Sequence, residues 1–231
     1  MSAFTESTFE IVPVSGNAEE LEFVMEKSGP FRNFRIVSHS SRPQCIREAV
    51  VLRLPMPFPP DTPLYAEGFN MLSQYWGTIR QIETTSLSDR GHYRLPVKEG
   101  FFTCYNLIQF FPHGAPVLLA GFTSCRRFTN EIRFHEQTLE FVIDCDGTEL
   151  PPGGSLELEE LFITENGGRE QQLAEFAGRI AFHHPPLRSA GQITGWCSWY
   201  CYGPAVTEQD IERNGAAMKR NLPGFRFVQI D

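Results

Sequence analysis

From the N-terminus to about residue 165, short apolar runs alternate with turn-forming residues. The runs cover 9–14, 31–37, 49–54, 100–111, 117–122, 132–134, 139–143 and 156–163. Several show period two. In Leu156-Glu157-Leu158-Glu159 every second residue is apolar, which is the mark of a half-buried strand. Between the runs lie Ser15-Gly16-Asn17, Pro112-His113-Gly114, Pro151-Pro152-Gly153-Gly154 and Glu165-Asn166-Gly167-Gly168. Asp146-Gly147 is expected to close a hairpin. The five prolines of 55–63 predict an extended connection, because proline lacks the ladder donor. Regular spacing of strands and turns predicts an antiparallel β-sandwich over residues 1–168.

The period changes at Arg169. Leu173, Phe176, Ala177 and Ile180 recur at helical spacing, which predicts a helix over 169–183. His183-His184-Pro185-Pro186 ends it, since a residue before proline avoids the α region. Residues 169–188 are thus a linking helix and connection. An aromatic strand is expected over 192–200. Thr207 can cap a following helix whose first-turn acids suit the helix dipole. Ile211, Met218 and Leu222 share one face of that helix, and Pro223-Gly224 ends it. A second apolar strand is expected over 225–230. A strand, a helix and a strand in this order belong to parallel sheets covered by helices. Residues 189–231 are therefore expected to open a larger α/β architecture, with this chain the N-terminal part of a longer protein. The exposed edge of such a pair is expected to promote self-association, and a homo-oligomer is one form this could take.

Composition narrows the classes. The chain has 231 residues, 41% hydrophobic and 21% charged, close to globular averages, so wholesale disorder is excluded. Twenty Lys and Arg against 28 Asp and Glu give a net charge of −8. A nucleic-acid groove needs a clustered basic surface, so no nucleic-acid partner is expected. No apolar stretch is long enough to span a bilayer, and residues 1–6 lack a basic, apolar leader, so neither a membrane nor export is expected. A cytoplasmic location is expected. There the six cysteines (Cys45, Cys104, Cys125, Cys145, Cys197, Cys201) are reduced and serve as small packing groups.

One stretch is more specific. Gly195-Trp196-Cys197-Ser198-Trp199-Tyr200, then Thr207-Glu208, then Phe227-Val228-Gln229-Ile230-Asp231, resembles glycoside hydrolase family 36. That family holds microbial α-galactosidases and is related to the raffinose synthases. The resemblance implies an N-terminal β-supersandwich, a linking helix and then a (β/α)8 barrel, of which residues 189–231 would be the first β–α–β unit. It covers about the last forty residues by motif and the remainder by architecture. It implies a galactose-containing oligosaccharide as partner, with Trp199 and Tyr200 beside the sugar and Asp231 accepting its hydroxyl protons. Barrel sites form at the C-terminal ends of strands, and strand 193–200 would deliver Trp199 and Tyr200 there. Aromatic side chains combine a large apolar face with a polar handle, and an ionised Asp only accepts. Trp196 is read as core.

Glu67-Gly68-Phe69-Asn70-Met71-Leu72-Ser73-Gln74-Tyr75-Trp76 loosely resembles a family loop whose aromatic closes the sugar pocket. Trp76 would be that residue, although Gln74-Tyr75 depart from the pattern and a core or interface tryptophan is the competing reading.

Retaining glycosidases use two carboxylates about 5–5.5 Å apart as nucleophile and acid. The resemblance puts both on later barrel strands, downstream of Asp231, so no catalytic residue is assigned here and this chain alone is expected to be inactive. No cofactor is implied. His39, His92, His113 and His135 share no metal-ligand spacing, so no metal is expected. Two other readings stay open: galactosyl transfer of the raffinose-synthase type, and a non-catalytic sandwich that binds carbohydrate or mediates assembly.

Overall fold

The computed structural model describes residues 7–70, 72–85, 93–186 and 192–231. The expectations attached to residues 1–6, Met71, His92 and the 188/189 boundary fall outside them. The chain divides into two compact units, Met1–Pro185 and Pro186–Asp231.

The first unit is antiparallel β. Its strands are β1 (Thr8–Ser15), β2 (Leu21–Ser28), β3 (Phe31–Ser38), β4 (Gln44–Pro55), β5 (Pro63–Glu67), β6 (Gln74–Thr78), β7 (Ile82–Thr84), β8 (Phe102–Phe110), β9 (Leu118–Phe122), β10 (Thr129–His135), β11 (Thr138–Leu150), β12 (Ser155–Glu157) and β13 (Leu161–Thr164). One leaf runs β1-β4-β11-β10-β8, and the other runs β7-β6-β5-β8-β9-β13-β3-β2 with β12 beside β3. The expected sandwich is therefore a nearly closed antiparallel sheet.

Strand β8 belongs to both leaves. Residues 102–104 pair with β10, while 107–110 pair with β9. Between them Asn106 adopts φ 59°, and its side-chain amide donates to the Glu67 carboxylate. A left-handed residue inside a strand bends it and re-aims its side chains. Inward residues of both leaves fill one core, in which Phe34, Phe110, Phe134 and Phe141 are fully buried.

The helix α1 (Arg169–His183) matches the expected bounds and packs on the outside of the second leaf. Phe176 and Leu173 meet Leu107, Leu119 and Phe162 there. Gly121 makes the approach possible, because a Cβ would stand 3.0 Å from the Phe176 ring and 2.5 Å from Asn106 O. The helix is pinned by a buried carboxylate. Glu160 accepts from Arg179 Nε at 2.7 Å and Nη2 at 2.6 Å, from Thr123 Oγ1 at 2.6 Å, and pairs with His183 Nε2 at 2.9 Å. Burial alone would raise its pKa. The Arg179, Thr123 and His183 hydrogen bonds outweigh that and lower it to about 2.

Two expectations are corrected. Residues 156–163 are two strands, because Glu159 and Glu160 interrupt the alternation to bond inward: Glu159 accepts from Ser124 Oγ and from the Arg127 and Phe128 backbones. Asp146-Gly147 does not turn a hairpin. Both residues have positive φ and form a bulge, while β11 stays paired with β4 on either side. The connection expected to be extended over 55–63 is so only in part: Pro55 ends β4, Pro63 opens β5, and between them Thr62 N–H donates to Pro59 O at 3.0 Å to close a turn. All six cysteines are unbridged, and burial pushes the Cys145 thiol up to about 12.

Candidate functional site

In the second unit, β14 (Gly195–Cys197) and β15 (Phe227–Gln229) pair in parallel. Gly195 lies opposite Phe227, and Cys197 lies opposite Gln229, so the two C-terminal ends coincide. Glycine is needed at 195: a Cβ there would stand 2.2 Å from Phe227 O. Between the strands run the short helix α2 (Trp199–Tyr202) and the longer α3 (Glu208–Asn221). Thr207 caps α3 as expected. Its hydroxyl accepts from Asp210 N, and the Asp210 carboxylate accepts from Thr207 N at 3.2 Å, a reciprocal capping box. The Thr207 hydroxyl also donates to Asp210 Oδ2 at 2.6 Å, and this bond, with the Thr207 N–H and the nearby Arg213, holds the Asp210 carboxyl below its ordinary range. Tyr202 ties the helices together, its hydroxyl receiving Asn214 Nδ2 at 2.9 Å and Arg213 Nη2 at 3.1 Å. Trp196 is half-buried and meets the Tyr202 ring edge-on, in keeping with a packing role.

The strand expected over 192–200 is shorter. It ends at Cys197, and Trp199 and Tyr200 sit in the first turn of α2. The cause is Ser198, whose backbone is helical and whose carbonyl accepts from Cys201 N at 3.1 Å and Tyr202 N at 3.0 Å. Both aromatic residues thus follow directly on the strand's exit. Trp199 is 50% exposed and Tyr200 90% exposed.

Asp231 reaches the same place from the other strand. Its backbone N–H donates to Ser198 Oγ at 3.1 Å. Its Oδ2 accepts from Gln229 Nε2 at 3.2 Å and lies 3.6 Å from the Cys197 thiol. Trp199, Tyr200 and Asp231 thus all lie just past the C-terminal ends of one parallel pair, and Ser198 bonds to the backbone of Asp231. Ser198 itself is fully buried. The sequence reading missed its role. The available signal was a small hydroxyl residue between a strand end and two aromatics.

Trp76 belongs to the first unit. It lies in mid-strand rather than in a loop, which corrects the expected position. In β6 it stands opposite Tyr65 of β5 and Glu83 of β7. Alternation sends its neighbour Tyr75 into the core and leaves Trp76 on the outer face, 41% exposed. The indole Nε1 donates to Glu83 Oε2 at 2.8 Å, so the ring is held in one orientation. Glu83 was a second residue the sequence did not disclose.

Among the described residues, no three His, Cys, Asp or Glu side chains are placed to share a metal ion. No helix among them is long and apolar enough to cross a membrane.

The sequence matches no protein-family model and no curated protein. Several solved structures are similar. An α-galactosidase from Thermus thermophilus, solved with stachyose, is 17% identical with a TM-score of 0.44, over 91% of this chain and 43% of its own. One from Lactobacillus brevis is 12% identical with a TM-score of 0.45, over 97% of this chain and 30% of its own. A third, from Geobacillus stearothermophilus and described as a glycoside hydrolase family 36 enzyme, is 11% identical with a TM-score of 0.44, over 98% and 33%. The chain thus spans less than half the length of each of these structures. Across most of its residues, this chain is similar to the α-galactosidases of glycoside hydrolase family 36.

Proposed function

We propose that residues 195–231 form part of the galactose-binding wall of a retaining α-galactosidase. The observation that carries this reading is that Trp199 and Tyr200 follow directly on the C-terminal end of β14, beside Ser198, whose hydroxyl holds the backbone of Asp231 just past the C-terminal end of the parallel neighbour β15. In this reading the two strands are the first of a (β/α)8 barrel, whose site forms at strand C-termini. The exposed rings of Trp199 and Tyr200 offer an apolar face to the C–H face of a hexose. Asp231 accepts two sugar hydroxyl protons, as a carboxylate can. Its backbone anchor on Ser198 and its side-chain contact with Gln229 fix the direction of those acceptors before the sugar arrives, which lowers the cost of binding.

Asp231 is a binding carboxylate here and not the nucleophile. The two reacting carboxylates belong to barrel strands later than the one ending at Asp231, so the 231-residue chain binds without turning over. Terminal α-galactosides are the substrates, and the reaction retains configuration through a covalent glycosyl intermediate.

The test uses the 231-residue chain with D-galactose and D-glucose, read by saturation-transfer NMR. Contact with galactose, lost in Trp199→Ala and Asp231→Asn, supports the proposal. Equal transfer in those variants, or steady release of p-nitrophenol from its α-galactoside above a heat-treated control, contradicts it.

A further inference from the structure

A different feature stands in the connection between β13 and α1. Two asparagines of the chain precede a glycine, Asn166 and Asn214. Such a pair can react with itself. The glycine nitrogen attacks the asparagine side-chain carbonyl, and glycine brings no side chain of its own to obstruct the approach. Ring closure needs the nitrogen and the carbonyl carbon about 3–3.5 Å apart and aligned, so the fold decides which pair can reach it.

The fold leaves the Asn166 pair open. Asn166, Gly167 and Gly168 are all exposed, in the link 165–168 between the end of β13 and the start of α1. The Asn166 backbone N–H donates to Thr164 Oγ1 at 3.1 Å, but its side-chain amide and the Gly167 N–H have no hydrogen-bond partner among the described residues. Gly167 has φ 80°, and a Cβ there would stand 2.6 Å from Gln171 Oε1. The turn thus requires glycine after Asn166, and that requirement keeps the reactive pair together. Asn214 is the opposite case. It lies inside α3, so bringing its side-chain carbonyl onto Gly215 N would break the helix ladder. Its Nδ2, the group that must leave, donates to the Tyr202 hydroxyl at 2.9 Å and to Asp210 O at 2.7 Å.

We propose that Asn166 is a self-modification site, which deamidates to aspartate and isoaspartate while Asn214 persists. Gly167 N gives its proton to water and bonds to the Asn166 side-chain carbonyl carbon. The bond from that carbon to the side-chain nitrogen breaks, and the nitrogen takes a proton back and leaves as ammonia. Water then opens the cyclic imide at either carbonyl. One opening restores the backbone as aspartate. The other runs the backbone through the side chain, lengthens it by a methylene and frees the former main-chain carbonyl as a carboxylate. The aspartate product adds a charge that suits the N-terminus of α1. The isoaspartate product shifts Gly167 and Gly168, whose carbonyls accept from Gln172: its N–H donates to Gly168 O at 3.0 Å and its side-chain amide to Gly167 O at 3.5 Å. Isoaspartate therefore loosens the first turn of α1, while Glu160 still holds the last turn through Arg179 and His183. The site involves neither Trp199, Tyr200 nor Asp231, and it stands or falls independently of the function proposed above.

The test is storage of the 231-residue chain in mildly alkaline buffer, with peptide mapping by mass spectrometry to follow the amide-to-acid change at each asparagine. In the folded chain Asn166 is expected to convert at least about tenfold faster than Asn214, equivalent to roughly 1.4 kcal/mol of barrier. In guanidinium the two pairs should convert at similar rates, because unfolding removes what distinguishes them. Hydrogen exchange of the stored chain should be faster at the Gln172 N–H, and this change should be absent from Asn166→Gln stored in parallel, whose longer side chain closes the ring poorly. Equal conversion of Asn166 and Asn214 in the folded chain overturns the inference. So does an Asn166 that persists in the folded chain while it converts in guanidinium, or a difference between the two sites that survives unfolding. Unchanged exchange at Gln172 in a chain shown to carry isoaspartate overturns the coupling to α1.

Discussion

The backbone N–H of Asp231 donates to the buried hydroxyl of Ser198, 33 residues earlier in the chain. Through this bond the end of one strand fixes the start of the short helix that follows the other. Ser198→Ala removes the acceptor and leaves the fold of both strands in place. A single hydrogen bond contributes about 1 kcal/mol, so galactose affinity should fall about fivefold. The checking measurement is the galactose titration alongside the tryptophan emission spectrum, which should not change. An unaltered affinity would show that Asp231 is positioned by something else.

Gly195 is the tightest point of the parallel pair. Gly195→Ala drives a Cβ into Phe227 O, backbone against backbone, and should part β14 from β15. The first unit shares none of these contacts and should melt as before. Amide exchange resolves the two: faster exchange is expected at Ser198, whose N–H donates to Gln229 O at 3.0 Å, with unchanged protection in β4 and β11.

Glu160 gives the first unit an acid-sensitive anchor. Its folded pKa of about 2 lies below the ordinary carboxylate value of about 4.3. The group therefore stabilises the fold fully above that ordinary value, and the contribution is lost as pH falls from there toward 2. Glu160→Gln removes one partner of a buried ion pair, which costs on the order of 3 kcal/mol. Thermal melts should show a lower Tm at neutral pH and a flatter fall between pH 5 and roughly 2 than the parent protein. Parallel acid profiles in the two proteins would contradict this role.

The second unit exposes apolar side chains on β15 and beside it. Phe227 is 50% exposed and Ile230 64%. A two-stranded parallel sheet with such edges is a template for pairing with another copy. Sedimentation of the chain at rising concentration should show a reversible shift to a dimer or larger species. A monomer throughout the range would count against it.

The sequence disclosed the elements whose burial is one-sided and continuous. Helix α1 was readable to its ends because Leu173, Phe176 and Ile180 mark one face and paired prolines follow it. The cap at Thr207 was equally plain. Strands β2, β5, β6 and β7 were missed. Leu21–Ser28 has buried and exposed residues in an irregular order, with Met25 45% exposed, because it forms an edge. β5 to β7 are only three to five residues each, too short for a period to emerge. Trp199, Tyr200 and Asp231 were named from their motif, whereas the hydrogen bonds of Ser198 to Asp231 and of Glu83 to Trp76 are set by how the strands pair. A positioning bond depends on where distant segments meet, and local patterning carries no trace of that.

The most direct test of the central claim is galactose titration of the parent chain, Trp199→Ala and Asp231→Asn, monitored by saturation-transfer NMR with glucose as the control sugar. The account predicts galactose-selective contact in the parent and its loss in both variants, each with an intact fold. Contact of equal strength in all three proteins, or no preference for galactose over glucose, would contradict it.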